Sequence, residues 1–362
     1  MSKLPNFHSL ACPAPLPPGE RVLLGHGSGG RLTAQLIQQL FLPAFANDIL
    51  CALEDQATLD LHHLGVAGRA GAEPRLAFTT DSFVVRPLFF PGGDIGRLAV
   101  HGTVNDLAVG GATPLFLSAA FILEEGLPLA DLRRIVASMR EACADAGVQL
   151  VTGDTKVVDR GKCDGAFITT SGIGVVPPGR NLALHNVRPG DCILVSGTIG
   201  DHGIAIMSQR EGLEFETALQ SDTAPLHDLS HTMLESCPSI RWMRDPTRGG
   251  LSGTLNELAA AAHAGVVIDE AAIPIRPEVQ AACEMLGLDP LYVANEGKLV
   301  AVAPTEASEQ LLDVMRRHPL GRNAARIGEV RGDHPGLVVI RSAFGGERIA
   351  PLLTGEQLPR IC

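Results

Sequence analysis

Residues 94–114 read DIGRLAVHGTVNDLAVGGATP, and the fold turns on what this stretch becomes. It predicts a helix with a small, mixed face, closed by Gly110 and Gly111 and followed by Pro114, which cannot continue it. Asn105 and Asp106 fall inside that small-residue helix. A carboxylate buried there is costly unless something compensates it. The bland alternative is a helix C-terminus that packs tightly through its glycines.

The same tension recurs along the chain. The polar islands GHGSGGR (25–31), TTDS (79–82), GDTKVVDRG (153–161), DPTRGG (245–250) and NEGK (295–298) interrupt otherwise apolar segments. Singly they are weak, because a strand-end Asp is most often a cap and a Gly-rich turn is most often only a turn. Together they predict that Asp81, Asp106, Asp154 and Asp245 converge, with Asn105 as a neutral oxygen donor. A hard divalent cation suits such a set, and Mg²⁺ is usually held by a few carboxylates plus substrate phosphates. Gly27, Ser28, Gly29 and Gly30 point the same way, since glycines let backbone N–H groups approach an anion ahead of a helix start. No GxxxxGK[ST] pattern occurs there, so the loop is not a P-loop. Lys156 and Lys298 read either as phosphate contacts or as solvated side chains. The histidines form no HExxH pattern, which argues against zinc.

The bulk numbers narrow the class. A chain of 362 residues predicts two domains or one large one, and 45% hydrophobic with 19% charged residues is a globular balance. A formal charge of -11 repels nucleic acid and anionic membranes, and 4% aromatics leaves few stacking platforms. No run of about 18 apolar residues is present, and the start, MSKLPNFHSLACPAPLPPGE, has no apolar core of a secretory signal. The 8 cysteines are scattered without CxxC spacing, as expected of reduced thiols in the cytoplasm.

The expected organisation is an irregular Pro-rich arm (1–20), an N-terminal domain (21–180), a C-terminal α/β domain (181–341) and a mobile tail (342–362). The turn-rich stretch PPGRNLALHNVRPGD (177–191) marks the boundary. Strands are expected at RLAFTTDSFVV, LFLSAAFIL, GAFITTSGIGVV, CILVSG, VVIDEAAIP, AARIGEV and LVVIRS. VQLVTGDTKVV reads as a strand running into a polar turn, and LYVANEGKLVAVAP as two strand pieces around a polar centre. Helices are expected at LADLRRIVASMREACADAG with Gly147 at its end, and at GDHGIAIMSQREG, APLHDLSHTMLES and GGLSGTLNELAAAAHAG. A last one, TEASEQLLDVMRRHP, takes Thr305 as N-cap.

The order TTDS, VNDLAVGGA, GDTK, DPTRGG resembles the aminoimidazole ribonucleotide (AIR) synthetase, or PurM-like, superfamily. HGSGGR (26–31), ANEGK (294–298) and the ending PRIC (359–362) make the chain similar to its hydrogenase-maturation carbamoyl dehydratase branch. The resemblance runs from about Leu24 to Cys362, and residues 1–20 fall outside it. It implies an α+β, two-domain PurM-like fold whose N-terminal sheet forms a β-barrel in a homodimer. It also implies ATP and Mg²⁺ bound by the Asp and Asn clusters across that interface.

The chemistry implied is specific. A carbamoyltransferase partner, HypF, loads a carbamoyl group onto the Cys362 thiol. ATP-dependent dehydration turns it into a thiocyanate, and cyanide passes to iron on a HypC–HypD assembly. On this reading Asp81, Asp106, Asp154 and Asp245 hold metal. Gly27, Ser28, Gly29, Gly30, Asp81, Asn105, Asp106, Asp154 and Lys156 bind ATP. Glu296 is the base, unless NEGK is merely a surface hairpin. Cys362 is a carrier whose own α-carboxylate disfavours the thiolate, with Arg360 as a partial offset. An extended tail from about Gly346 reaches on the order of 50 Å. Two other readings remain open: a small-molecule ATP-dependent enzyme of the same superfamily, and a non-catalytic nucleotide-binding assembly factor with a docking tail.

Overall fold

The computed structural model describes residues 30–45, 47–59, 74–212, 219–342, 344–353, 358 and 360–362. The arm at 1–20 and Gly27, Ser28 and Gly29 of the glycine loop lie outside the described residues. The helical pieces α1 (Arg31–Leu36) and α2 (Leu42–Phe45) flank a π turn and precede strands β1 (Ala57–Leu59) and β2 (Arg75–Phe83). A two-residue ladder of β3 (Phe89–Phe90) and β4 (Gly93–Asp94) leads into α3 (Ile95–Val109). The domain is completed by β5 (Thr113–Glu124), α4 (Leu129–Asp145), β6 (Gln149–Val158) and β7 (Ala166–Val176).

Helix α3 is the expected one. The Asp94 carboxylate caps it by accepting from the Gly96 and Arg97 amides at 2.7 and 3.2 Å. At its other end Gly111 takes φ +80, and the Gly111 and Ala112 amides return to the Ala108 and Leu107 carbonyls. The helix is buried along most of its length because it lies on the inner face of a five-stranded sheet ordered β1-β2-β7-β5-β6. All pairs are antiparallel except β5 with β6, the ends of a crossover through α4.

The second domain comprises β8 (Asp191–Val195), α5 (Asp201–Glu211), α6 (His227–Ser236), β9 (Trp242–Arg244), α7 (Gly250–Ala262), β10 (Gly265–Asp269) and α8 (Pro277–Leu286). It continues through β11 (Val300–Pro304), α9 (Ser308–Arg317), β12 (Ala325–Arg331), β13 (Val338–Arg341) and β14 (Glu347–Ile349). Its seven strands run β14-β13-β10-β12-β8-β11-β9. Trp242, Ile193, Leu255 and Ile327 are fully buried in its core.

Local readings fail where tertiary contacts override them. Thr305 is not an N-cap: a 3₁₀ turn precedes α9, and the Thr305 hydroxyl donates to the Gly190 carbonyl instead, at 2.6 Å. GDTK is not a turn, because β6 runs straight through it beside β5. The first half of LYVANEGKLVAVAP is a 3₁₀ turn and an irregular segment rather than a strand. Helix α8 and the short strands β1 and β9 escaped the sequence reading. β14 lies inside the stretch expected as tail and pairs with β13.

Candidate functional site

Three carboxylates meet where the two domains face each other. Asp55 leads into β1, Asp106 sits in the last turn of α3, and Asp245 follows β9; their ligand oxygens all lie within 4.8 Å of one another. Asp55 is anchored by Arg244 at 2.7 Å, and Arg244 also holds Glu257 at 3.0 Å. The Thr79 hydroxyl on β2 lies 2.8 Å from both the Asp106 carboxylate and the Asp55 carbonyl. Asp81, two residues along the same face of β2, accepts the Ser82 amide at 2.7 Å.

The charges are poorly compensated. Burial, and then the Asp245, Asp55 and Asp81 charges, push the Asp106 carboxyl well above the carboxylate range. Burial lifts Asp55 to about 8 against the pull of Arg244, and Asp245 to about 6. Asp81 is raised by burial, with the exposed Arg248 opposing. An all-oxygen, anionic donor set of this kind suits a hard divalent cation.

These shifts fix a pH dependence. A carboxyl whose folded pKa exceeds its unfolded value of about 4 binds its proton more tightly in the native state. The stability it contributes is fully present below about pH 4 and is lost as pH rises through the folded values, about 6 for Asp245 and about 8 for Asp55. Thermal melts in chelator are expected to fall between about pH 5 and pH 8.5, and millimolar Mg²⁺ to flatten that fall. Melts with the same slope in chelator and in Mg²⁺ contradict a cation at this cluster.

Glu296 is not on a surface hairpin. It is 2% exposed, its Oε1 has no hydrogen-bond partner among the described residues, and its carboxyl is raised well above the usual range. Burial is the first cause; the Asp245, Asp81 and Asp222 charges add to it, and Arg248 opposes them. The backbone around it is pinned. The Glu296 amide donates to Asp222 Oδ1 at 3.0 Å, and Lys298 Nζ donates to Asp222 Oδ2 at 2.9 Å. Lys298 is thus an ion-pair partner of Asp222. Asn295 bonds the Gly200 amide and the Pro246 carbonyl. Residue 297 has to be glycine, since a Cβ there would lie 1.8 Å from the Asp222 carbonyl oxygen.

The end of the chain comes to this place. Ile361 is 2% exposed, and the Val84 and Arg86 amides donate to the Cys362 and Arg360 carbonyls at 3.0 and 3.2 Å. Arg360 pairs with Asp164. The Cys362 thiol is pushed up chiefly by burial; Arg248 opposes this, and the Glu296, Asp81 and Asp245 charges reinforce it. Carrier and base candidate are therefore within each other's field. The offset to the thiol comes from Arg248 rather than from Arg360.

The remaining sequence candidates do not join the carboxylate cluster directly within this chain. Asn105 is fully buried and used internally: its Nδ2 donates to the Ala224 and Glu296 carbonyls and its Oδ1 accepts the Leu226 amide. Asp154 and Lys156 stand on exposed β6, paired at 2.6 Å, and Lys156 holds the Asp154 carboxyl below its usual range. Gly30 lies against the tail, the next amide, Arg31, donating to the Leu353 carbonyl at 2.7 Å. Sequence reasoning missed Asp55, a lone acid ahead of a three-residue strand with no glycine or cap to mark it. It also missed Arg248, although DPTRGG contained it.

Comparison with known proteins places the chain in a family. The AIR synthase related protein family matches through its N-terminal domain at residues 54–176 and its C-terminal domain at residues 188–340. Carbamoyl dehydratase HypE of Cupriavidus necator is 59% identical over 342 residues, covering 94% of this chain and 95% of the relative. HypE of Escherichia coli is 49% identical over 94% and 99% of the two chains. A crystal structure of hydrogenase maturation protein HypE in complex with ATP superposes with TM-score 0.77 at 49% identity, covering 94% and 100%. A crystal structure of a HypE–HypF complex gives TM-score 0.80 at 46% identity, covering 88% and 99%.

Proposed function

The chain belongs to the carbamoyl dehydratase HypE family of AIR synthase related proteins, and from that premise we propose that it dehydrates a carbamoyl group carried on the Cys362 sulfur. It is an ATP-dependent enzyme of hydrogenase maturation: S-carboxamide and ATP give S-thiocyanate, ADP and phosphate. The observation that carries this reading is the placement of Cys362 within the field of the buried Glu296, whose Oε1 has no hydrogen-bond partner among the described residues, near the carboxylate cluster.

An amide oxygen leaves poorly as hydroxide. Phosphorylation makes it a good leaving group, and its departure with an N–H proton leaves the nitrile. Asp55, Asp106 and Asp245, with Asp81 beside them, would hold Mg²⁺, which when bound neutralises phosphate charge during transfer. Glu296 takes the N–H proton. Burial raises its basicity above that of an ordinary carboxylate, which favours proton uptake. The Val84 and Arg86 amides hold the last residues at the site, with the Cys362 sulfur within the field of Glu296. Arg248 places a positive charge near both Glu296 and the Cys362 sulfur that carries the carbamoyl group.

On this proposal the loading partner is HypF, named in the complex of a relative, and the cyanide acceptor is iron carried by a HypC–HypD assembly. Among the described residues no helix is long and apolar enough to cross a membrane. Intact-mass spectrometry after loading tests the reaction. A gain of one carbamoyl, followed by loss of one water only when Mg-ATP is added, is expected. Cys362→Ser should gain nothing. A carbamoyl that persists through ATP consumption would sink the proposal and favour the docking-tail reading.

The homodimer is part of the same proposal. β6 is an edge strand with Leu150, Val151 and Val157 exposed, and the outer face of its sheet exposes Phe78, Phe116, Ile122 and Ile173. An open edge with such a face invites pairing. Two sheets closing on each other would form the barrel and carry Asp154 and Lys156 toward the other protomer's nucleotide. The double variant Val151→Asp, Val157→Asp is expected to sediment as a monomer and to lose most ATP-dependent water loss. A variant that stays dimeric, or a fully active monomer, contradicts this arrangement.

A further inference from the structure

The last three residues offer alternate backbone oxygens to different partners. Those of Arg360 and Cys362 go to the strand extension after β2. The carbonyl between them, that of Ile361, points the other way and meets His202 Nε2 at 2.8 Å. His202 is the second residue of α5 and is fully buried. A carbonyl only accepts, so Nε2 carries the proton and Nδ1 is the lone-pair nitrogen. Nδ1 lies 2.7 Å from Ser221 Oγ, which therefore donates to it. The Ser221 oxygen in turn accepts the Thr223 amide at 3.1 Å, and the Ser221 amide is tied to the Pro91 carbonyl at 2.8 Å. The ring also stands edge-on to Phe90, with centroids 5.5 Å apart and an interplanar angle of 90°. Tautomer and ring plane are thus both fixed.

The residue after Ser221 is Asp222, whose carboxylate holds the Glu296 amide and Lys298. One short loop therefore reaches the peptide next to the carrier cysteine through His202 on one side and holds the backbone of the base directly on the other. We propose that His202, oriented by Ser221, is a positioning residue that clamps the Ile361 carbonyl and so sets the loaded Cys362 sulfur in register with Glu296. The inference rests on the carrier reading above.

Two measurements test it, one independent of catalysis. In the unloaded protein, iodoacetamide alkylation of Cys362, read by peptide mass spectrometry, reports release of the terminal strand. In protein loaded with cyanate, which adds across the thiol S–H to give the same S-carboxamide, single-turnover water loss with Mg-ATP reports register. His202→Ala should speed alkylation and slow water loss, each by roughly 5- to 100-fold, the range for removing the partner of a buried hydrogen bond. His202→Gln, which keeps an N–H donor, should recover most of both, which a merely structural role would not predict. Ser221→Ala should fall between, because the freed ring can take the other tautomer. Wild-type alkylation rates in folded His202→Ala overturn the clamp. If His202→Ala does not fold, wild-type rates in Ser221→Ala, or no difference between the Ser221→Ala and His202→Gln variants, overturn it equally. If alkylation responds but wild-type protein never loses water, the clamp stands and the dehydratase reading fails.

Discussion

Glu296→Gln should load with carbamoyl as well as the wild type and then keep it. Gln has nearly the same volume and shape, so the pinned 295–298 segment and the Asp222–Lys298 pair remain in place. It cannot take a proton. Removing a positioned general base costs about 10²- to 10⁴-fold, so ATP-dependent water loss should fall by that factor while nucleotide binding persists. Replacing a buried carboxyl, one oxygen of which lacks a hydrogen-bond partner among the described residues, by an amide that cannot ionise also removes a group whose ionisation burial opposes, so the variant should melt no lower than wild type. The raised pKa has a further consequence. Without a cation at the cluster, burial first and then the Asp245 and Asp81 charges oppose ionisation of Glu296. Positive charge at those carboxylates offsets this and favours the base form. Quench-flow mass spectrometry of loaded protein reads the rate. Water loss within a few-fold of wild type would mean that another group takes the proton.

Asp55→Asn is the second large effect, at a position the sequence did not flag. It removes one negative oxygen donor of the three that meet. Loss of an outer-shell partner alone weakens metal binding about 10- to 100-fold, and loss of a direct charged ligand should cost at least as much. Arg244 keeps Glu257, so the substitution does not strand a buried cation. The like-charge crowding that raises Asp106 is relieved, since Asp55 is among its causes. The metal-free variant should therefore melt at or above the wild-type temperature, while the extra stability conferred by Mg-ATP shrinks. Calorimetric titration with Mg-ATP checks the first term and melts with and without it check the second. Unchanged Mg-ATP affinity would remove Asp55 from the site.

Much of this was legible in the chain itself. Helices α3, α4, α7 and α9 follow from apolar periodicity and their stop signals, with Gly111 and Gly147 both left-handed where those ends required it. Asp81, Asp106 and Asp245 were legible as carboxylates in places that need compensation, and all three act on one another electrically. Glu296 and Cys362 were legible only through resemblance to a family, because a polar NEGK centre is equally compatible with a hairpin. What misled was local likeness. GDTK looks like a polar turn, yet it lies within edge strand β6, where its acid and lysine are exposed and pair with each other. NEGK looks like a turn, yet Asp222, 74 residues upstream of Glu296, holds it inside.

The sequence by itself determined which residue types were available, in what order, and which segments would be helix or strand. Those outcomes depend on interactions spanning a few residues, such as periodic burial, caps and left-handed glycines. Tertiary structure alone decided that Asp55 joins the cluster, that Asn105 is consumed by backbone partners, that Lys298 binds Asp222 and that Cys362 lies inside beside Glu296. Each depends on strand order and on how the two domains pack, which bring together groups as far apart in sequence as Val84 and Cys362. No local pattern encodes such a meeting, because its free energy comes from desolvation and charge at a point that exists only after both domains have formed.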